Sequence, residues 1–389
     1  MKLPIFLLAL AAFASAASIR VTDALLPRIA ADFNIGIAKA AAVVTGFTVA
    51  YGLMQVFFGP LGDRFGKLRV IAYATLVAAV ASLACVVAPG FQGLVAARIV
   101  AGAFCACIIP LSMAWIGDVV PYAERQPVLA RFLLGQIFGL AAGTAVGGFA
   151  AEQLHWRWPF GALAAWLAAV SVLLAAVARH DPAPRPQSGS QLSRDAASVF
   201  ASPWSRVVVF TVFAEGVFVF GALAFIPTHL HFARGIDLSI AGLALIAYAL
   251  GGVTFALFAR RILARLGEVK LAIWGTLMLT AGCAVIAGAP NAPWASVGCL
   301  IAGVGFYALH NTLQTNATQM APQTRGAAMA LFASFFFLGQ SVGVAVAGAL
   351  AERIGTTAVI LGAGLAVIPV GITFARLRRA RAASENSEI

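Results

Sequence analysis

Only one residue in ten of this 389-residue chain is charged, yet ionisable side chains stand inside several of its long apolar runs. Asp23 and Glu215 bring carboxylates, Arg98 a guanidinium and His310 an imidazole. Apolar surroundings favour the neutral form of a carboxylate and a nearby cation favours the charged form, so a carboxylate under both influences can take up and release a proton. Burying such groups is costly enough to make each a candidate functional group. Glu215, Asp23 and His310 are therefore the proton-coupling candidates. Arg98, Tyr51, Gln55, Asn311 and Gln314 are polar groups available to a small-molecule substrate.

Other chemistries are poorly represented. Cys85, Cys105, Cys107, Cys283 and Cys299 all lie in apolar runs, where they suggest neither a disulfide framework nor a zinc site. His229-x-His231 offers two metal ligands, too few to define a centre. No phosphate-binding G-x-x-x-x-G-K-[ST] loop and no nucleophile–base arrangement is present. Neither an enzyme, a cofactor nor a metal is expected.

The elements that must position these residues follow from composition. Hydrophobic residues make up 61% of the chain and mean hydropathy is +0.94, far outside soluble usage. A helix crossing the hydrocarbon needs about 20 mostly apolar residues and satisfies its own backbone hydrogen bonds. Twelve such stretches fall near residues 3–27, 40–60, 70–88, 91–116, 128–150 and 158–178, then 207–230, 239–259, 271–289, 294–316, 326–350 and 356–375. They are continuously apolar, without the alternation of a transmembrane barrel. The opening MKLPIFLLALAAFASAAS also has the Lys, apolar run and small-residue site of a cleavable secretory signal. It is read here as the first span, because its removal would leave eleven.

A net charge of +12 could signal nucleic acid, but its distribution signals a bilayer. With the N-terminus inside, nineteen Lys and Arg residues fall in cytoplasmic segments and five in the opposite loops, a strong positive-inside bias. Both termini are then cytoplasmic, in a multi-pass protein of a cell membrane, the bacterial inner membrane.

The chain also repeats itself. DRFGKLRV at 63–70 aligns with ARLGEVKL at 264–271, and Ala101-Gly102 with Ala302-Gly303, at an offset of 201. LGQIFG at 134–139 recurs as LGQSVG at 338–343. Agreement near one offset indicates two related halves: bundles over 1–178 and 207–389, joined by a connector over 179–206. The connector is rich in Pro, Ser, Gly and charge, which predicts an exposed, flexible segment.

GPLGDRFGKLR at 59–69 resembles the signature loop of the major facilitator superfamily, and the six-plus-six layout matches nearly the whole chain. AARIVAG around Arg98 resembles that family's fourth-span Arg motif, and GLAAGTAVGG its fifth-span motif of antiporters, with Thr144 where a Pro is usual. The resemblance implies an all-α integral membrane fold of twelve helices in two pseudo-symmetric bundles, with spans 1, 4, 7 and 10 lining the cavity. It implies a secondary active transporter working by alternating access, close to the drug:proton antiporter and sugar efflux branch and functional as a monomer. It further implies a conformational latch of Gly59, Asp63, Arg64, Gly66, Arg69 and Asp118. In that latch Asp63 faces the start of span 11, near Arg325, and Asp118 pairs with Arg69.

Several readings stay open at this level. Asp23 and Arg98 sit at similar depth in spans 1 and 4, with Arg98 about 10 Å down its helix, but Arg20 at spacing three is a rival partner for Asp23. Glu215 has no basic residue in its own span, and His310 lies at comparable depth in span 10. Gly139, Gly143, Gly147 and Gly148 form a small-residue face fit for close helix packing or for a sliding interface. Gly59 and Pro60 are expected to end span 2, and Phe335–Phe337 to face lipid. Proton-driven export of amphiphilic or drug-like molecules leads, ahead of sugar or metabolite transport in either direction. A non-transporting sensor or scaffold on the same fold is the alternative of another class.

Overall fold

The computed structural model describes residues 2–179 and 192–387 and divides into two compact units, one through Asp195 and one from Ala196. The described residues are helical, with no strand. The first unit comprises α1 (Lys2–Arg20), α2 (Leu26–Asp32), α3 (Ile37–Ala40), α4 (Ala42–Phe65), α5 (Lys67–Val86), α6 (Phe91–Cys105), α7 (Ile108–Val119), α8 (Tyr122–Gln153) and α9 (Trp158–Ala178). Next come α10 (Leu192–Ala201), α11 (Pro203–Glu215), a π-helical turn over Gly216–Phe220, α12 (Gly221–Leu223) and α13 (Ile226–Arg234). The chain continues with α14 (Leu238–Ala244), α15 (Ile246–Gly288), α16 (Ala292–Gln319), α17 (Arg325–Ile354) and α18 (Thr356–Ser387).

Eleven apolar stretches among the described residues are long enough to cross a membrane, and one of them, Leu238–Gly288, has 51 residues. A straight helix of that length would extend about 77 Å, more than twice the hydrocarbon thickness. Gly267 interrupts it with φ 68°, a conformation that suits a residue without a Cβ. The stretch therefore makes two crossings, and the total is twelve. Outward-facing side chains such as Phe138, Val172, Phe232 and Leu257 are large and apolar, as lipid contact requires.

Glycine sets how closely these helices approach. On α8, a Cβ at Gly135, Gly139, Gly143 or Gly147 would collide with the carbonyl oxygens of Ala9, Phe13 and Ala17 on α1 and of Val21 just beyond it. Spacing four keeps the glycines on one helix face, and that face lies directly on the neighbouring backbone. Gly148 is buried but falls off the stripe, whose fourth member is Gly135. Thr144 turns its hydroxyl back to Ala141 O at 2.9 Å.

The second unit repeats these contacts. Gly339 and Gly343 on α17 abut the carbonyls of Phe213 and Val217 as Gly135 and Gly139 abut those of Ala9 and Phe13, all four correspondences being 204 residues apart. Gly102 meets Phe47 O, and Gly303 meets Tyr248 O, each 201 residues on.

Local geometry departs from expectation at three places. Span 2 does not end at Gly59-Pro60: α4 runs through both to Phe65, and the turn is the single residue Gly66 at φ 94°. Pro60 is tolerated because spans accommodate the backbone group it frees. Part of the connector is helical, as α10 buries Val199 and stacks Phe200 on Phe335; residues 180–191 of the connector lie outside the described residues. The Phe335–Phe337 run faces inward at two positions, Phe335 packing on Phe210 and Phe213 and Phe336 on Phe220 and Phe306.

Candidate functional site

In the first unit α1 ends at Arg20 and the chain turns through residues 21–25 before α2. The last carbonyls of a helix lack intrahelical donors and form the negative end of its dipole. Arg98, almost fully buried on α6, uses them: its Nη2 donates to Ser18 O at 2.9 Å and to Thr22 Oγ1 at 3.3 Å. Its Nε donates to Val43 O at 3.4 Å, and its guanidinium lies 4.1 Å from the centre of the Phe47 ring. Tyr51 stacks on Phe47 at 5.9 Å, so one aromatic wall serves both candidates. Gln55, one turn on, is half-buried.

Of the two partners left open for Asp23, the structure gives Arg20 and not Arg98. Asp23 is fully buried in the turn, with its Oδ2 3.2 Å from Arg20 Nη1. Three residues of separation across the end of α1 bring Arg20 and Asp23 together locally, and the Ser18 carbonyl with the Thr22 hydroxyl takes the place of a carboxylate at Arg98. Asp23 Oδ1 is buried without a hydrogen-bonding partner.

A second polar cluster joins α4, α5 and α7. Lys67 Nζ lies 2.7 Å from Asp118 Oδ2 and 3.0 Å from Asp63 Oδ1, so Asp118 pairs with Lys67 and not with Arg69. The reason is angular: Lys67 opens α5 beside the Gly66 turn, and Arg69, two residues on, points about 200° around the helix. Arg69 is exposed, and so is Arg64, which lies over its neighbour Phe65. In the second unit Glu268, at the position equivalent to Lys67, bonds Asn316 on α16 and lies 3.2 Å from Arg378 on α18. The central position is thus inverted in charge and takes a different set of partners, with Ala264 and Gln319 standing where the first unit has Asp63 and Asp118.

Glu215 and His310 are brought together. Glu215, the last residue of α11, is fully buried, and its Oε2 lies 2.7 Å from His310 Nδ1 on α16. The π-helical turn begins at the next residue, Gly216, which packs on α17 where a Cβ would collide with Phe336 O. Such turns are over-represented at functional positions. Three rings surround the imidazole: Phe306 stacks on it at 5.0 Å, Phe336 lies at 4.8 Å and Phe332 at 5.4 Å. Phe220, inside the turn, meets Phe306 and Phe336 edge-on at 5.3 and 5.1 Å.

Asn311 and Gln314 stand outside this pair, on an exposed strip of α16 with Thr315. Gln314 is one turn beyond His310 and shares its face. His229 and His231 have separate partners, Thr356 Oγ1 and Ile236 O, both at 3.0 Å. Lys67 and the aromatic rings are the members of these sites not singled out above. The i,i+4 pairs Phe306–His310 and Phe332–Phe336 are visible in sequence once His310 is in view.

The chain matches the family model described as Major Facilitator Superfamily over residues 8–325 and 234–388. It is 24% identical over 330 residues to YceJ of Bacillus subtilis (strain 168), described as an uncharacterized MFS-type transporter, covering 84% of this chain and 83% of YceJ. It is 28% identical over 153 residues to the multidrug export protein EmrB of Haemophilus influenzae, covering 39% of this chain and 30% of EmrB. In fold it is similar to the crystallised nucleoside transporter NupG, with a TM-score of 0.77, 14% identity and coverage of 96% of this chain and 98% of NupG. Twelve helical crossings, a repeated six-span pattern and a family match running from residue 8 to residue 388 agree: the chain belongs to the Major Facilitator Superfamily of membrane transporters.

Proposed function

We propose that the protein exports small amphiphilic molecules across the bacterial inner membrane in exchange for protons, by alternating access. The observation that carries this reading is the Glu215–His310 contact inside a cage of phenylalanines. A buried carboxylate held by an imidazole can exist as an ion pair or as a proton-loaded neutral group, and a cationic amphiphile offers Glu215 an alternative partner with apolar surface for the rings. Competition between substrate and proton for one carboxylate exchanges their fluxes. The exposed polar strip of Asn311, Gln314 and Thr315 on the same helix supports a water-lined approach to the pair.

Similarity to a multidrug export protein supports efflux, and the glycine-on-backbone interface of α8 and α1 supports the resemblance to antiporters. Asp63, Lys67 and Asp118 are the candidate latch of the first bundle, with Gly66 as its turn. The bias of basic residues supports cytoplasmic termini, and the presence of both halves in one chain supports a monomer.

The test is Glu215→Gln in reconstituted vesicles, which mimics the permanently protonated state. Exchange of a lipophilic cation down its gradient and its uphill accumulation under an imposed pH difference are both lost, because the amide offers the cation no charge. Uphill transport surviving in this variant overturns the assignment of Glu215.

A further inference from the structure

Gln340 on α17 is fully enclosed, and neither its Oε1 nor its Nε2 has a hydrogen-bonding partner. Burying both ends of an amide unpaired is costly, and native interiors rarely do so without a reason. Glu215 carries the same signature, since one carboxylate oxygen holds His310 and the other, Oε1, is buried without a partner.

The two lie at one level of the second unit. A Cβ on Gly216, the residue after Glu215, would sit 2.9 Å from the backbone nitrogen of Gln340. Phe336, one turn before Gln340 and on the same face of α17, places its ring 4.8 Å from that of His310. On α16 the charged contact of Glu215 is His310. The nearest charged residue on α11 is Arg206, nine positions earlier; Arg325, Glu352 and Arg353 of α17 are more than three turns from Gln340, and the charges of α18, Arg376, Arg378, Arg379, Arg381 and Glu385, lie beyond its apolar run.

We propose that Gln340 is the second partner of Glu215 and positions the proton on it. An amide suits this task because it both donates and accepts. When Glu215 is ionised, Gln340 Nε2 donates to its Oε1. When Glu215 Oε1 is protonated, Gln340 Oε1 accepts that hydrogen, while His310 is released from its ionic contact. Rotation of the amide exchanges the two arrangements without moving a helix. A leucine would serve neither state, and a glutamate would add a competing charge. Gln136, the equivalent residue of the first unit, is only half-buried, and the position equivalent to Glu215 is Ala11, so the device belongs to one half.

This inference rests on the proposed proton site but is read by a separate measurement. Infrared difference spectra of the purified protein, titrated with acid, show a carboxylic C=O band that Glu215→Gln assigns by removing. A hydrogen bond to a charged group is worth more than one to a neutral group, so Gln340→Leu moves the midpoint of that band about one pH unit to the alkaline side and shifts its frequency. The pH profile of flux moves with it. Gln340→Asn recovers part of the shift. Ser334→Ala, which alters another enclosed polar residue of α17, leaves the midpoint in place and separates proton positioning from loss of packing. An unmoved midpoint and frequency in Gln340→Leu overturn the proposal, as does the absence of a Glu215 band. Wild-type flux indifferent to an imposed pH difference ends the proton-coupling reading instead, and the infrared titration still decides the role of Gln340.

Discussion

Arg98 is anchored by the Ser18 carbonyl, 2.9 Å away, with the carboxylate of Asp23 committed to Arg20. The planar fork of a buried guanidinium is satisfied here by one free carbonyl at the end of α1, the Thr22 hydroxyl and Val43 O on α4. Arg98→Lys keeps the charge but loses the fork, and reduces flux at least tenfold. In a double-mutant cycle on thermal unfolding, Asp23→Asn and Arg98→Lys are additive within about 0.5 kcal/mol, because the pair shares no direct contact. A coupling energy well above that value shows the two side chains in direct contact.

Removing His310 strands Glu215 among aromatic rings. His310→Phe is tolerated at acid pH, where Glu215 can be neutral, and its melting temperature falls relative to wild type as pH rises, because the folded state then encloses an uncompensated charge. Breaking a buried pair in this way costs roughly 3–5 kcal/mol. Adding Glu215→Gln to this variant removes the pH dependence; a slope that persists in the double variant assigns it to another group.

The close packing of α8 on α1 predicts a position-specific response to a single methyl. Gly139→Ala and Gly343→Ala drive a Cβ into a carbonyl and lose about 1–3 kcal/mol of stability. Gly59→Ala, whose added Cβ meets nothing within 4 Å, is neutral. Chemical or thermal unfolding in detergent compares the three directly.

In the loop between α4 and α5, Lys67→Gln leaves Asp63 and Asp118 facing each other and slows transport, whereas Arg69→Gln does not. Stability changes by no more than about 1 kcal/mol in either case, because these groups are partly exposed. Equal loss of flux in the two variants assigns the effect to the net positive charge of the loop.

The twelve crossings and their repeat were legible because length, apolarity and spacing suffice to define a transmembrane helix. Glu215 and His310 were legible for a related reason, since an ionisable group in an apolar run is conspicuous and depth can be counted along a helix. Partner choice was harder to read. Arg98 went to carbonyls, which every residue possesses and no sequence marks. Asp118 chose Lys67 over Arg69 through a helical phase fixed by the single Gly66 turn. Gln340 is one of many polar groups in the spans, and an amide among them declares itself only when its enclosure is known.

The two offsets between the halves also carry a history. Contacts joining α1 to α8 and α11 to α17 recur 204 residues apart, whereas those joining α4 to α6 and α15 to α16 recur 201 apart. Three residues must therefore have been gained or lost between the first and second spans of a half, and three restored between the fourth and fifth. The two glycine-on-carbonyl interfaces each keep one offset, and the joints between spans have absorbed the difference. The glycine-on-carbonyl seams are thus more constrained in register than the joints that link them, so lengthening a joint by three residues is tolerated where shifting a seam by one is not.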